Sequence, residues 1–188
     1  MKKSLIFLTV VGSIVAIVFF FYQGVRNDLI KVEKQVNAQW HNVESQYQRR
    51  SDLVSNIVAT LNGSTVHEQS TLEDVIEART KATQLAIDAT HLNEHTLAQF
   101  QQAQSELEST INSLFISLNA NQKILGLLAQ LEAIENSIAT ERIHFNEASQ
   151  EYNQLIHDFP GSIVANIENF IEKPYFKSQG GVNNSPVS

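Results

Sequence analysis

Residues 124–159 read ILGLLAQLEAIENSIATERIHFNEASQEYNQLIHDF, and their spacing decides the fold. Ile124, Leu128, Leu131, Glu135, Ile138, Arg142, Phe145, Ser149, Tyr152, Ile156 and Phe159 follow one another in alternating steps of four and three, without a slip. That period keeps one face of a helix turned towards a partner, as in packed or coiled-coil helices. Pro160-Gly161 then ends the run.

Working back along the chain, the same period recurs three times. The first stripe is Val36, Trp40, Val43, Tyr47, Arg50, Val54, Ile57 and Leu61, widened by Leu53 and Val58, with Asn62-Gly63 as its stop. A second runs from about Thr65 to Ala89 through Leu72, Val75, Arg79, Ala82 and Ala86. A third carries Leu97, Phe100, Gln104, Leu107, Ile111, Leu114 and Leu118, after a polar connection at His91 to His95. Useful runs of strand-like alternation are missing. The stripes therefore predict an all-α fold, a mostly antiparallel four-helix-type bundle of long helices. Beyond Pro160, the spacing of Ile163, Val164, Ile167, Phe170 and Ile171 predicts a short amphipathic helix over 161–173, which either caps the bundle or lies on a membrane.

At the other end, Leu5 to Tyr22 reads LIFLTVVGSIVAIVFFFY, uncharged, with thirteen Leu, Ile, Val or Phe residues. Eighteen helical residues reach about 27 Å, the thickness of a hydrocarbon core. Those thirteen side chains favour insertion by about 4–8 kcal/mol, an upper bound because terminal positions count for less. A cleaved signal peptide would have a shorter apolar run ending at a small-x-small site, whereas this one ends in Phe19, Phe20, Phe21 and Tyr22. A single uncleaved transmembrane anchor is expected. Lys2 and Lys3 favour an inside N-terminus and an extracytoplasmic bundle, against the pull of Arg26, Lys31 and Lys34.

Composition closes off several functions. Three prolines and seven glycines leave few turns, so elements must be long. A net charge of −7 argues against nucleic acid as a partner, since a phosphate backbone needs a basic face. With no cysteine there is no disulfide, thiolate metal site, lipoprotein anchor or cysteine nucleophile.

Candidate chemistry is thin. His91-Leu92-Asn93-Glu94-His95 matches the H-x-x-E-H pattern of inverted zinc peptidases, in which two His bind zinc and the Glu acts as base. The segment is polar on both sides, reads as a helix junction and lacks an evident third ligand. Glu73-Asp74, Glu106 and Glu108 fit a solvated face better than an acid–base pair. No catalytic residue, metal ligand or cofactor is therefore assigned, and zinc hydrolysis stands as the alternative function. Sharper are the charges on core stripes: Arg50, Arg79, Glu135 and Arg142 stand where an apolar residue is expected. Either they snorkel from the rim, or Arg50 or Arg79 joins Glu135 in a buried network that fixes helix register.

Scattered positions carry a family resemblance. They are Asn27, Leu29, Ile30, Val36, Ala38 and Trp40, then Arg49 to Val58 with Asp52 and Asn56, then Gly63, His67-Glu68, Leu72-Glu73, Val75 and Ala78-Arg79. Glu135-Asn136-Ser137-Ile138-Ala139, Arg142, Tyr152-Asn153, Phe159-Pro160 and Lys173-Pro174-Tyr175-Phe176 follow in order. In these the chain resembles the LemA family of bacterial membrane proteins over nearly its whole length. It departs at Ser55, where the family has Pro, at Arg26, where an aromatic is usual, and at 118–122, which lack a Tyr-Pro pair. The resemblance implies a single anchor plus an extended helical bundle, which fits a division into a tail at 1–4, an anchor at 5–22 and a bundle domain at 23–177; the Gly, Asn and Ser content of 178–188 predicts a disordered tail. It implies no reaction. Some relatives act in membrane remodelling or organelle formation, which suits a non-enzymatic scaffold of the bacterial inner membrane. The partners expected are the lipid bilayer, a second copy of the chain and an unidentified membrane protein. An accessory subunit of a membrane protease or sensor is the remaining alternative.

Overall fold

The computed structural model describes residues 2–62, 69–85, 87–117 and 122–177, and all regular structure among them is helical. Helix α1 spans Lys2–Asn62, α2 Gln69–Gln84, α3 Glu94–Ser117, α4 Gln122–His157 and α5 Gly161–Glu168, with a short 3-10 turn at Ala89–His91. His67, Glu68, Gly63, Ala86, Leu118 and the tail at 178–188, all named above, lie outside the described residues.

Helix α1 is one unbroken element of 61 residues, about 90 Å long, that carries both the apolar N-terminal segment and the first core stripe. Nothing in the sequence interrupts it. At Ser55, where a proline would have bent the helix, the hydroxyl instead bonds back to the Ser51 carbonyl (3.0 Å). Among the described residues α1 is the helix long and apolar enough to cross a membrane, and its apolar side chains from Ile6 to Phe21 are exposed.

Helix α4 runs antiparallel to α1, so that Trp40 meets Phe145 and Arg50 meets Glu135. Helices α2 and α3 form a hairpin against them, tied at its edge by Lys81 to Glu106 (3.1 Å). Two apolar clusters result. One holds Leu29, Val36, Trp40, Tyr47, Phe100, Phe145, Tyr152 and Ile156; the other holds Leu53, Ile57, Val75, Leu107, Ile111, Leu114 and Leu131. Trp40 and Tyr47 are buried in the first cluster, the indole N–H donating to the Ile87 carbonyl (2.9 Å).

The junction at 91–95 is a helix start. Asn93 Oδ1 accepts the Thr96 N–H while Thr96 Oγ1 accepts the Asn93 N–H, both at 3.0 Å, a reciprocal cap on α3. At the other end of the chain, α5 is shorter than the helix expected over 161–173. Asn169 adopts the left-handed conformation (φ 58°) and the Phe170 N–H returns to the Ala165 carbonyl (3.0 Å), so the helix closes there. Residues 169–177 continue as a non-helical strap. Gly161 seats α5 on the end of α4, because a Cβ at that position would collide with the Leu155 carbonyl. Backbone cannot step aside cheaply, so Gly161→Ala is expected to cost about 1–3 kcal/mol. Thermal unfolding of the full chain in detergent, followed by circular dichroism, reads this as a lower midpoint; an unchanged midpoint would mean that α5 shifts freely.

Candidate functional site

The two apolar clusters are separated by a polar layer centred on Arg50, which is only 1% exposed. Arg50 follows Tyr47 of one cluster and precedes Leu53 of the other; Gln104 lies likewise between Phe100 and Leu107, and Glu135 between Leu131 and Ile138. The Arg50 guanidinium donates to Glu135 Oε1 (2.9 Å), to the Gln104 carbonyl (3.1 Å) and to Gln104 Oε1, and lies over the Tyr47 ring (5.0 Å). Gln104 passes the connection on, its amide donating to the Ala82 carbonyl (3.4 Å). Arg79 reaches the layer differently, through its Nε to the Ser51 carbonyl (3.0 Å). All four bundle helices thus meet at one level.

What this layer can do is set by its chemistry. An arginine keeps its proton at any physiological pH, so Arg50 offers a fixed charge rather than proton transfer. Burial pushes the Tyr47 phenol above its ordinary range, partly offset by Arg142 and Arg50, so it too stays protonated. A cleft of about 220 Å³ opens over Arg50, Glu135 and Arg142, and another of about 380 Å³ runs between α1, α2 and α3 past His41, Ser51 and Gln104. Arg50, Gln104 and Glu135 hold one another there, whereas the Ser51 hydroxyl and Arg50 Nε have no hydrogen-bond partner among the described residues.

Arg142 is placed elsewhere than the layer. Its guanidinium donates to the Lys177 carbonyl (2.8 Å) and covers the Phe176 ring (4.7 Å). It belongs to the seat of the strap, which the stripes did not reveal. Asn153 accepts the Lys173 N–H and donates to the Lys173 carbonyl, both at 2.8 Å. Asn146 does the same for Phe176 at 2.8 and 3.0 Å. The spacing explains the match: seven helical residues rise about 10.5 Å, and three extended residues span about 10 Å. Each Asn thus acts as a rung to which an extended backbone pairs. Lys173 Nζ adds Glu33 (2.8 Å) and the face of Tyr152 (5.5 Å), whose phenol burial pushes upward.

The strap also answers for the H-x-x-E-H segment. Glu94 pairs with Lys177 (2.9 Å), whose ammonium holds its carboxyl below the ordinary range. His91 closes the 3-10 turn while His95 sits in α3, so the cap divides them and they do not share one helix face as two zinc ligands four apart would. Of the remaining positions, Arg49, Asp52 and Asn56 recur at one exposed face of α1, Asn136 is exposed on α4, and Pro160 caps α5 beside the exposed Phe159.

A model of the LemA family matches residues 39–188, well over half of the chain. No curated protein matches it at a significant level.

Proposed function

The chain belongs to the LemA family, and from that premise we propose that it is a non-enzymatic, single-pass scaffold of a bacterial cell membrane. The observation that carries the reading is α1. One continuous helix holds both the apolar segment and the bundle core, so bundle and anchor move as one body. With 5–22 in the bilayer, residues 23–62 stand about 60 Å out from it. A stiff stem of that length fixes height and orientation, and confinement to a plane raises the effective concentration of any face it presents. The exposed row Arg49, Asp52 and Asn56, spaced three and four apart on α1, is such a face, with its side chains free of the core.

Weak lateral contacts then suffice for self-association and for capture of a membrane-protein partner. The test is chemical crosslinking of the full chain in its own membrane, with size analysis in mild detergent. Adducts of two or more copies are expected, weakened by Asp52→Arg. A strict monomer at every concentration, with nothing co-purifying, would rule the scaffold out.

A further inference from the structure

The stripe of apolar side chains left uncovered near α5 has a definite place on the molecule. Phe159, Ile163, Ile167 and Ile171 are 78%, 53%, 61% and 75% exposed. Ile163 and Ile167 lie one turn apart on α5, opposite the face that buries Val164 and Ala165 against the bundle. Outside the N-terminal apolar segment, the other exposed large apolar side chains, such as Ile76, Ile116, Ile143 and Tyr175, are spread over α2 and its end, α3, α4 and the strap.

The height of α5 follows from its contacts with α1. Glu168, its last residue, accepts hydrogen bonds from Tyr22 (2.7 Å) and Arg26 (3.1 Å). Tyr22 ends the apolar segment, and Arg26 is only four residues, about 6 Å, beyond it. The headgroup layer on one side of a bilayer is itself about 5–7 Å deep. Tyr22 and Val25 moreover pack against the cluster that contains Val164 and Ala165. An α1 that crosses the bilayer at 5–22 therefore sets α5 down at the headgroup level.

We propose that α5 and its flanks, through Phe159, Ile163, Ile167 and Ile171, form a second membrane contact that lies in the lipid interface beside the anchor. This rests on the transmembrane reading of α1 and goes beyond it. The contact makes the bundle lean on the membrane through two points rather than swing on one stem. Its basis is apolar insertion, which characteristically reaches about 5–10 Å into the boundary of headgroups and acyl chains. Charge does not drive it. Arg26 and the Tyr22 hydroxyl hold the Glu168 carboxyl below its ordinary range, so it stays an anion facing Arg26, while Asp158 and Glu172 remain exposed beside the apolar face. Contact accordingly needs no anionic lipid.

The chain has no cysteine, so a single introduced one is the sole site for a nitroxide label. In full chain reconstituted into phosphatidylcholine vesicles, Ile163→Cys and Ile167→Cys labels are expected to favour oxygen over a water-soluble nickel chelate several-fold more than an Ile116→Cys label at the far end of α3. Addition of phosphatidylglycerol does not raise that ratio. A Val15→Cys label reports the anchor separately. If Val15 is lipid-exposed while 163 and 167 collide with nickel as freely as 116, the proposal fails and the anchor stands; if Val15 is itself in water, both fall. Spin–spin broadening at 163 without oxygen access assigns the face to a second copy and also overturns the proposal.

Discussion

Replacing Glu135 by Ala is expected to lower the stability of the bundle by about 3 kcal/mol. Removing one partner of a buried ion pair costs about 3–5 kcal/mol because the other charge is left without compensation. Here the stranded charge is Arg50, 1% exposed, whose Nε already lacks a hydrogen-bond partner among the described residues. The lower end of the range applies since 31% of the Glu135 side chain meets solvent, so part of its attraction is already screened. Glu135→Gln keeps an acceptor for Arg50 and costs about half as much. The triple change Arg50→Met, Gln104→Leu, Glu135→Leu removes the layer whole, and stability is expected to return to about the wild-type value or exceed it. What the triple variant loses is the device that holds α1, α3 and α4 at one level, as a single polar residue does in a coiled coil. Thermal unfolding of the full chain in detergent gives the ordering, at about 2–4 °C per kcal/mol. Near-zero effects of both single changes would mean that the Arg50–Glu135 pair does not hold the register.

The helices themselves were legible because their stripes are long. The stripe from Ile124 to Ile156 overlies α4, Gln122–His157, while its last member, Phe159, lies beyond the helix end and is exposed; those of the first and third segments overlie α1 and α3. The interruptions were visible too, yet their pairing was not. Arg50 and Arg79 break their stripes identically, and which of them faces Glu135 depends on how far each helix is slid, a matter of connections whose length says little about stagger. Gln104 stood on its stripe unremarked because it carries no charge, although it supplies two of Arg50's acceptors. The strap was opaque for a different reason. An extended segment that pairs with Asn side chains has no period of its own, and Asn146 and Asn153 lie off the core stripe. Their spacing of seven on one helix face was the one available trace. Arg142 stands on a core stripe, yet its guanidinium turns to the Lys177 carbonyl and the Phe176 ring; its partner comes from beyond the helices.

Phe176→Ala is expected to cost about 3–5 kcal/mol, the usual range for deleting a buried aromatic. Phe176 is buried against Trp40, stacked at 6.1 Å and 19°, and meets Phe145 edge-on at 5.4 Å. It lies on the strap, so its loss does more than leave a hole. Asn146 holds the Phe176 backbone and Arg142 covers its ring, and both contacts depend on the ring being seated. A seven-residue spacing matched by three extended residues gives the strap two rungs; with the ring gone, only the Asn153–Lys173 rung keeps its anchor beside it. Trp40 is the chain's only tryptophan and reports the event directly. Its emission in the full chain should move to longer wavelength in Phe176→Ala, as water reaches the indole from the strap side, while Asn153→Ala weakens the other rung and shifts the emission less. The midpoint of thermal unfolding should fall by roughly 10 °C in the Phe176 variant. If Trp40 emission and the midpoint both stay where they are, the strap is an ornament on a bundle that closes without it, and the seat formed by Arg142, Asn146 and Asn153 has no energetic role.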